Sequence, residues 1–253
     1  MNKNIGIVGI PPLKIIHSIQ EARDVIIDLD EPQLQLPIDL TAKYLPRVYC
    51  AVLRTVMLNS MHLKLDHIYI DVGPGKCDCA LHVSRIMADT LGIPVIPTRN
   101  LDMVDFGTPI CTSSLPLVDK LLKITKGVQS PLASEPLEPC RPTAGFWGVP
   151  PRDFSILSLF PDTTHVYGWA RCMENKTPAH LELESLYEPE IPTVFFAQSF
   201  CAKTALAKHL AEQHPKALYL DCDVTAGSSA RAKIEAFLEL SGVHTQGASH
   251  AVG

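Results

Sequence analysis

Eight cysteines are the residues of this chain whose types and positions favour chemistry most strongly. Cys77 and Cys79 stand two residues apart after a short apolar run, and Cys172, Cys201 and Cys222 also follow apolar runs. A thiol at the start of a helix has a lowered pKa and is a better nucleophile or metal ligand. We therefore predict that Cys77, Cys79, Cys172 and Cys201 are metal ligands, and that Cys77 and Cys201 are catalytic thiols if the protein is an enzyme.

The chemistry of thiolate ligands limits the choice of metal that these cysteines would bind. Thiolates select iron–sulfur clusters, zinc or copper(I), and we expect an iron–sulfur cluster or zinc. The spacing matches no short Cys-x-x-Cys motif, so the cysteines become ligands only if the fold gathers them. Cys50 lies on a predicted helix and is interpreted as a core residue. Cys111 and Cys140 fall in predicted loops, and their role stays open.

A glycine-rich loop precedes Cys77, in the run Asp71-Val-Gly73-Pro-Gly75-Lys76-Cys77. Glycines let the backbone approach a ligand closely, and the helix start that follows favours an anion. We predict that Gly73, Gly75 and Lys76 bind a small anionic ligand. The run is similar to the Asp-x-Gly-x-Gly-x-Gly motif of S-adenosylmethionine methyltransferases and departs from it at the third glycine, where Cys77 stands.

A second loop, Ala197-Gln-Ser-Phe-Cys201-Ala202-Lys203-Thr204, is similar to the phosphate-binding loop Gly-x-x-x-x-Gly-Lys-Thr. Alanine replaces both glycines, and a Cβ at Ala202 resists the wrap of the backbone around a phosphate. The resemblance implies cofactor binding by Lys203 and Thr204. An ordinary helix start is the alternative. Arg171, in another strand-end loop, is a further predicted ligand for a carboxylate or phosphate, with a surface salt bridge as its alternative.

The elements that must position these residues alternate between strands and helices, which predicts parallel sheets. The pattern also repeats. Gly6-Ile-Val-Gly-Ile-Pro-Pro returns as Gly145-Phe-Trp-Gly-Val-Pro-Pro, shifted by 139, and later segments match with a shift of 125. We therefore predict two Rossmann-like α/β lobes, each a mainly parallel sheet with flanking helices, related by an internal repeat. The predicted strands are 4–10, 25–29, 67–72 and 94–97 in the first copy and 145–148, 164–167, 193–195 and 217–221 in the second. The predicted helices are 13–23, 39–61 with a kink or break at Pro46, 78–91 and 202–214.

The predicted boundaries follow changes in composition. Residues 1–127 form the first lobe and residues 144–240 the second. Residues 128–143 contain four prolines without an apolar period and are predicted to be a linker. Residues 241–253 are small and polar and are predicted to be a disordered tail.

Composition excludes several classes of function. With 253 residues, 46% hydrophobic residues and a net charge of -5, the chain is large enough for a substantial core, and its scattered Lys and Arg argue against nucleic acid as a partner. No apolar run approaches the roughly 18 residues of a membrane helix, and the N-terminus lacks a signal-peptide layout. We expect a cytoplasmic protein with reduced thiols, and a protein partner stays open.

Three functions remain open on the sequence. The first is the binding of a metal, metallocluster or metal-containing cofactor in a cleft between the lobes, and the strand Pro94–Pro97 with its following loop resembles the lobes of nitrogenase-type metallocluster proteins. The second is a cofactor-independent racemase or isomerase, because strand-end cysteines in two lobes resemble those of the aspartate/glutamate racemases. There one thiolate removes a proton while the other thiol delivers one. The third is a nucleotide- or S-adenosylmethionine-dependent transferase.

Overall fold

The computed structural model describes residues 2–103, 109–130 and 137–243. Their backbone forms two units, each built on a four-stranded parallel sheet. Unit 1 comprises residues 2–103, 126–130 and 175–181, and unit 2 comprises residues 109–125, 137–174 and 182–243.

In unit 1, short β-branched runs supply the strands and amphipathic segments supply the helices. Ile5 and Ile7 of the first strand are wholly buried, and Ile16 and Ile19 form the buried face of the first helix. The spatial order of the strands is β2-β1-β3-β4, all parallel. The elements are β1 (Asn4–Val8), α1 (Leu13–Glu21), β2 (Val25–Asp28), a 3-10 helix (Ile38–Lys43), α2 (Ala51–His62), β3 (His67–Asp71), α3 (Asp78–Thr90) and β4 (Val95–Thr98).

The predicted long helix over residues 39–61 is two separate elements. A 3-10 helix ends at Lys43, and α2 begins at Ala51 with Cys50 as its N-cap. Pro46 explains the break, because proline lacks a backbone N–H and disfavours helical geometry at the residue before it. The consequence is a helix N-terminus at Cys50 rather than a helix interior.

Unit 2 buries large aromatic side chains on its central strands, two of them at positions where unit 1 buries isoleucines. Phe146 stacks on Phe196 with ring centroids 5.7 Å apart, and Trp147 stacks on Phe195 at 5.8 Å. The elements are a 3-10 helix (Pro109–Thr112), α4 (Leu117–Gly127), β5 (Ala144–Gly148), a 3-10 helix (Phe154–Leu159), β6 (Thr164–Tyr167), α5 (Trp169–Asn175), α6 (Leu181–Ser185), β7 (Thr193–Gln198), α7 (Lys203–Gln213), β8 (Ala217–Cys222) and α8 (Ser228–Leu240). Within the described ranges, no helix is both long enough and apolar enough to cross a membrane.

The predicted repeat of two Rossmann-like α/β lobes is confirmed. Unit 2 has the strand order β6-β5-β7-β8, which is the order of unit 1. Gly6 pairs with Ile68 as Gly145 pairs with Thr193, so the shifts of 139 and 125 hold in the sheet registers. The shift of 125 continues beyond the strands. Gly75 and Phe200 both have a positive φ, and each lies two residues before the N-cap of the following helix.

The two units do not follow the predicted boundaries throughout. Residues 109–125, including most of α4, belong to unit 2, and residues 175–181 belong to unit 1. Of the predicted linker, residues 128–130 belong to unit 1, residues 131–136 lie outside the described residues, and residues 137–143 belong to unit 2. Of the predicted tail, Gly242 and Val243 donate backbone hydrogen bonds to the end of α8. Residues 244–253 lie outside the described residues.

A buried lysine explains why α4 packs in unit 2. Lys120 is wholly buried, and its ammonium donates to the backbone oxygens of Asp162 at 2.8 Å and Thr164 at 2.5 Å. Leu121 and Ile124 are buried on the same helix. Because these bonds join α4 to the start of β6, the segment before the predicted linker is held by the second unit.

The free energy of unfolding is expected to rise between about pH 8 and pH 10.5 because of Lys120. Burial lowers the pKa of Lys120 to about 8, from an ordinary value of 10.5. In this window the unfolded chain holds a proton that the folded chain has lost, so stability rises with pH by up to about 1.4 kcal/mol per pH unit. Urea denaturation at several pH values should show this slope reduced in Lys120→Met and unchanged in the exposed control Lys123→Met. An identical slope in wild type and Lys120→Met would contradict the assignment.

Candidate functional site

The strand order places a crevice at the same point in both units. In the strand order 2-1-3-4, the chain leaves one central strand toward one edge of the sheet and the other central strand toward the opposite edge. The point between these two strands is the topological switch point, and ligands of such sheets bind there, beyond the carboxyl ends of the strands. In unit 1 the crevice is bordered by the loops after β1 and β3, and in unit 2 by the loops after β5 and β7.

Three cysteines of unit 1 gather beside this crevice. Cys50 is the N-cap of α2, Cys77 is the N-cap of α3, and Cys79 lies in the first turn of α3. Burial raises the pKa of the Cys77 thiol, and the nearby charges of Cys79 and Cys50 raise it further. Burial raises the pKa of the Tyr49 phenol, and the nearby thiols of Cys79, Cys77 and Cys50 raise it further. The fold thus collects three thiols and a phenol from two segments.

Cys50 is a buried core residue, as predicted from the sequence, and it also belongs to this group. Its side chain is buried, at 6% exposure, but it stands at a helix start and close enough to Cys77 to influence that thiol. The signal that could have located it was Pro46. A break there moves the start of the next helix to the neighbourhood of Tyr49 and Cys50.

The start of α3 and burial act on the pKa of the Cys77 thiol in opposite directions. The N-terminal dipole of α3 favours the negatively charged thiolate of Cys77. The Ala80 backbone N–H and the Lys76 ammonium also lower the pKa of Cys77, but burial outweighs them. Without a bound cation the thiol of Cys77 is therefore protonated at neutral pH, and a metal would have to displace its proton.

The structure also limits what kind of metal centre the thiols suit. Across residues 2–103, 109–130 and 137–243, no three or more His, Cys, Asp or Glu side chains are placed to hold one metal ion.

The glycine loop of unit 1 is occupied by the protein's own groups. Gly73 donates its backbone N–H to Asp71 Oδ1 at 3.2 Å, so a carboxylate of the chain takes one amide predicted for an anionic ligand. Gly75 has φ of +82°, and a Cβ there would overlap the carbonyl of Pro178. Lys76 folds over Gly9, where a Cβ would overlap its ammonium. The loop therefore combines acidic and basic groups.

In unit 2, the predicted basic ligands have partners within the unit. Arg171 pairs with Glu174 at 2.5 Å. Lys203 pairs with Glu184, and its ammonium lies 4.4 Å from the ring centroid of Trp169. The hydroxyl of Thr204 lies 3.5 Å from the backbone oxygen of Gln198. These contacts hold the starts of α5 and α7 in place, so the phosphate-loop resemblance coincides with a structural ion pair.

The predicted cysteines of unit 2 have different surroundings from each other. Cys172 lies inside α5 and is wholly buried, and burial followed by the charge of Glu184 raises the pKa of its thiol to about 12. Cys201 is half-buried in the turn before α7. A shared centre between these thiols and those of unit 1 stays a prediction.

Comparison with known proteins assigns no family. No protein-family model matches the chain, and no curated protein matches its sequence. Among solved structures, the chain is similar to MenH from S. aureus at 12% identity, over 96% of this chain and 95% of that chain, with a TM-score of 0.21. Likeness at this level carries no argument about function, so the site is interpreted from its own geometry.

Proposed function

We propose that unit 1 binds an iron–sulfur cluster through Cys50, Cys77 and Cys79. The observation that carries this proposal is the gathering of three thiols at the N-termini of two helices. Thiolates are the usual protein ligands of such clusters. Three thiols leave one ligand position for a group from outside this set, such as a small anionic ligand or a residue of a protein partner.

The internal repeat supports a functional role for these thiols. With the shift of 125, Cys77 and Cys79 correspond to Ala202 and Thr204 at the start of α7. The fold of unit 2 therefore forms the same turn and helix start without either thiol. Packing alone does not require cysteine at these positions, which favours a role as ligands.

The surrounding residues would hold and tune the cluster. A bound cluster would supply electron transfer or Lewis-acid chemistry. The Tyr49 phenol would stand beside the thiolates as a hydrogen-bond donor, and the backbone dipoles of α2 and α3 would offset the negative charge of the thiolates. Burial of Cys50 and half-burial of Cys77 would limit the access of water. Because such thiols must stay reduced, we place the protein in the cytoplasm.

Removal of any one of the three thiols is expected to abolish most iron binding. The protein is purified and reconstituted anaerobically with ferrous iron and sulfide, and iron, acid-labile sulfide and visible absorption are measured. Wild type should hold about two to four irons per chain. Cys50→Ser, Cys77→Ser and Cys79→Ser should each lower iron content at least fivefold.

The matched control is Cys222→Ser, which removes a buried thiol from unit 2 at the end of β8. It should keep the iron content of wild type, and circular dichroism should show that all four variants fold. Iron binding that is unaffected by the three substitutions in unit 1 would contradict the site. A colourless protein that retains zinc through the same thiols would contradict the cluster.

A further inference from the structure

A second polar cluster lies at the crevice of unit 1, apart from the three thiols. It consists of Asp28, Asp30, Asp71 and Lys76. Asp28 Oδ1 accepts the backbone N–H of Asp30 at 3.0 Å, and Asp30 Oδ2 accepts that of Gly9 at 2.6 Å. These residues stand at or just beyond the ends of β2 and β3, next to the loop after β1. They occupy the position where parallel sheets bind ligands.

The repeat shows that the fold does not need these charges. The paired registers of β1 with β2 and of β5 with β6 place Val166 where unit 1 has Asp28, and Gly168 follows where it has Asp30. The registers of β3 and β7 likewise place Phe196 where unit 1 has Asp71. Both Val166 and Phe196 are buried. Unit 2 therefore builds the same sheet with apolar side chains or glycine at these places.

Asp71 is the residue of this cluster whose burial is the most unfavourable for the stability of the fold. It is wholly buried, at 0% exposure. Its Oδ1 accepts the backbone N–H groups of Gly73 at 3.2 Å and Asn100 at 3.0 Å, while its Oδ2 is buried without a hydrogen-bond partner. A buried carboxyl oxygen without a partner destabilises a fold. Since Phe196 avoids this cost in unit 2, a role outside stability accounts for Asp71.

The charge of the cluster indicates what a partner must supply. The four residues of the cluster comprise three carboxyl groups and one ammonium, and both Lys76 and Asp30 lie close enough to Asp71 to act on its charge. A ligand for Asp71 Oδ2 must donate a hydrogen bond, and a cationic donor also balances the charge. No arrangement for a single metal ion occurs among the described residues, which favours an organic cation.

Access to Asp71 is controlled by a flexible side chain. The ammonium of Lys76 lies against Gly9, and the absent Cβ of Gly9 would also contact the Cβ of Asp71 at 3.4 Å. Lys76 thus lies beside Asp71 and is half-buried. Binding at Asp71 therefore requires the Lys76 side chain to rotate away from its present contacts, a rotation that needs no backbone movement.

We propose that the crevice at the ends of β1 and β3 is a binding site for the primary ammonium group of a small molecule, with Asp71 Oδ2 as the acceptor. Asp30 and Asp28 supply further negative charge around the ammonium, and Lys76 covers the bound group. This inference is independent of the iron–sulfur proposal, because it uses none of the three thiols.

The test uses ethylammonium chloride as the probe and the full chain as the protein. Thermal unfolding of wild type is followed with ethylammonium, tetramethylammonium or potassium chloride at equal ionic strength. Ethylammonium at saturation should raise Tm by about 3 °C, whereas the other two salts should not, because neither cation donates a hydrogen bond. Saturation-transfer NMR on the ethylammonium methyl protons should detect the binding directly.

Variants assign the effect to Asp71. Asp71→Asn should be more stable than wild type without the probe, because it removes a buried charge, and should lose both the shift in Tm and the NMR signal. The exposed control Asp89→Asn, on α3 of the same unit, should keep both. Lys76→Ala should also keep both, since its ammonium is not the acceptor. Equal shifts with all three salts, no response in wild type, or a full response in Asp71→Asn would each overturn the proposal.

Discussion

Replacing Gly75 by alanine is expected to destabilise unit 1 by about 3 kcal/mol. Gly75 has φ of +82°, a conformation that costs an ordinary residue about 1–2 kcal/mol. The added Cβ would also overlap the backbone carbonyl of Pro178, and backbone cannot move aside as a flexible side chain can. Chemical denaturation followed by circular dichroism should show the loss. A glycine chosen for ligand access alone would instead tolerate alanine with little loss of stability.

The repeat supplies a control for the Gly75 substitution. Phe200 stands at the equivalent place in unit 2, with φ of 62°, and is 54% exposed. Phe200→Gly relieves the backbone strain but removes partial packing, so its effect on stability should stay within about 1 kcal/mol. A loss as large in Phe200→Gly as in Gly75→Ala would show that the contact with Pro178 is not the cause.

Replacing Glu174 by alanine is expected to destabilise unit 2 by about 3–5 kcal/mol. The Glu174 carboxylate is almost wholly buried and accepts three hydrogen bonds. They come from the backbone N–H groups of Ile110 at 2.8 Å and Cys111 at 3.2 Å, and from the Arg171 guanidinium at 2.5 Å. Its removal leaves a largely buried cation and two buried N–H donors without this acceptor. Removing one partner of a buried ion pair lowers the free energy of unfolding strongly for this reason.

The control for Glu174 is Glu182→Ala, which removes an exposed carboxylate from α6. Its effect should stay within about 0.5 kcal/mol. Arg171→Met combined with Glu174→Ala should recover part of the loss, because the double variant no longer buries a cation that has lost its carboxylate. Equal stability of Glu174→Ala and Glu182→Ala in urea denaturation would show that this carboxylate does not organise the unit.

The arrangement of strands could be predicted from the sequence because it depends on local patterns. Apolar runs of three to seven residues between turn residues located all eight strands, and the doubled Gly-x-x-Gly-x-Pro-Pro segment indicated the repeat that the strand orders confirm. α4 and α8 were not predicted, although both have a buried apolar face. α4 is bound to residues 162 and 164, which are distant in sequence, whereas α8 packs partly against β8 directly before it, so its apolar face was a local signal in the sequence that was missed.

The chemistry of single residues could not be predicted, because it depends on contacts between distant segments. Sequence position located Cys77 and Cys79 at a helix start, but the approach of Cys50 requires the packing of α2 beside α3. Similarly, the sequence predicted that Lys203 and Arg171 bind an anionic ligand. In the structure they form ion pairs with Glu184 and Glu174. The spacing of charged residues along the chain does not predict which of them form ion pairs in the folded protein.

The sequence by itself determined two α/β units with parallel sheets, because strand periodicity and turn residues act over a few positions. Only the tertiary structure decided which side chains face each crevice. It buried Asp71 with one oxygen unsatisfied and put Phe196 at the equivalent place in unit 2. The backbone pattern is the same in both copies, so the difference between a polar site and an apolar core depends on how each environment solvates or pairs a charge.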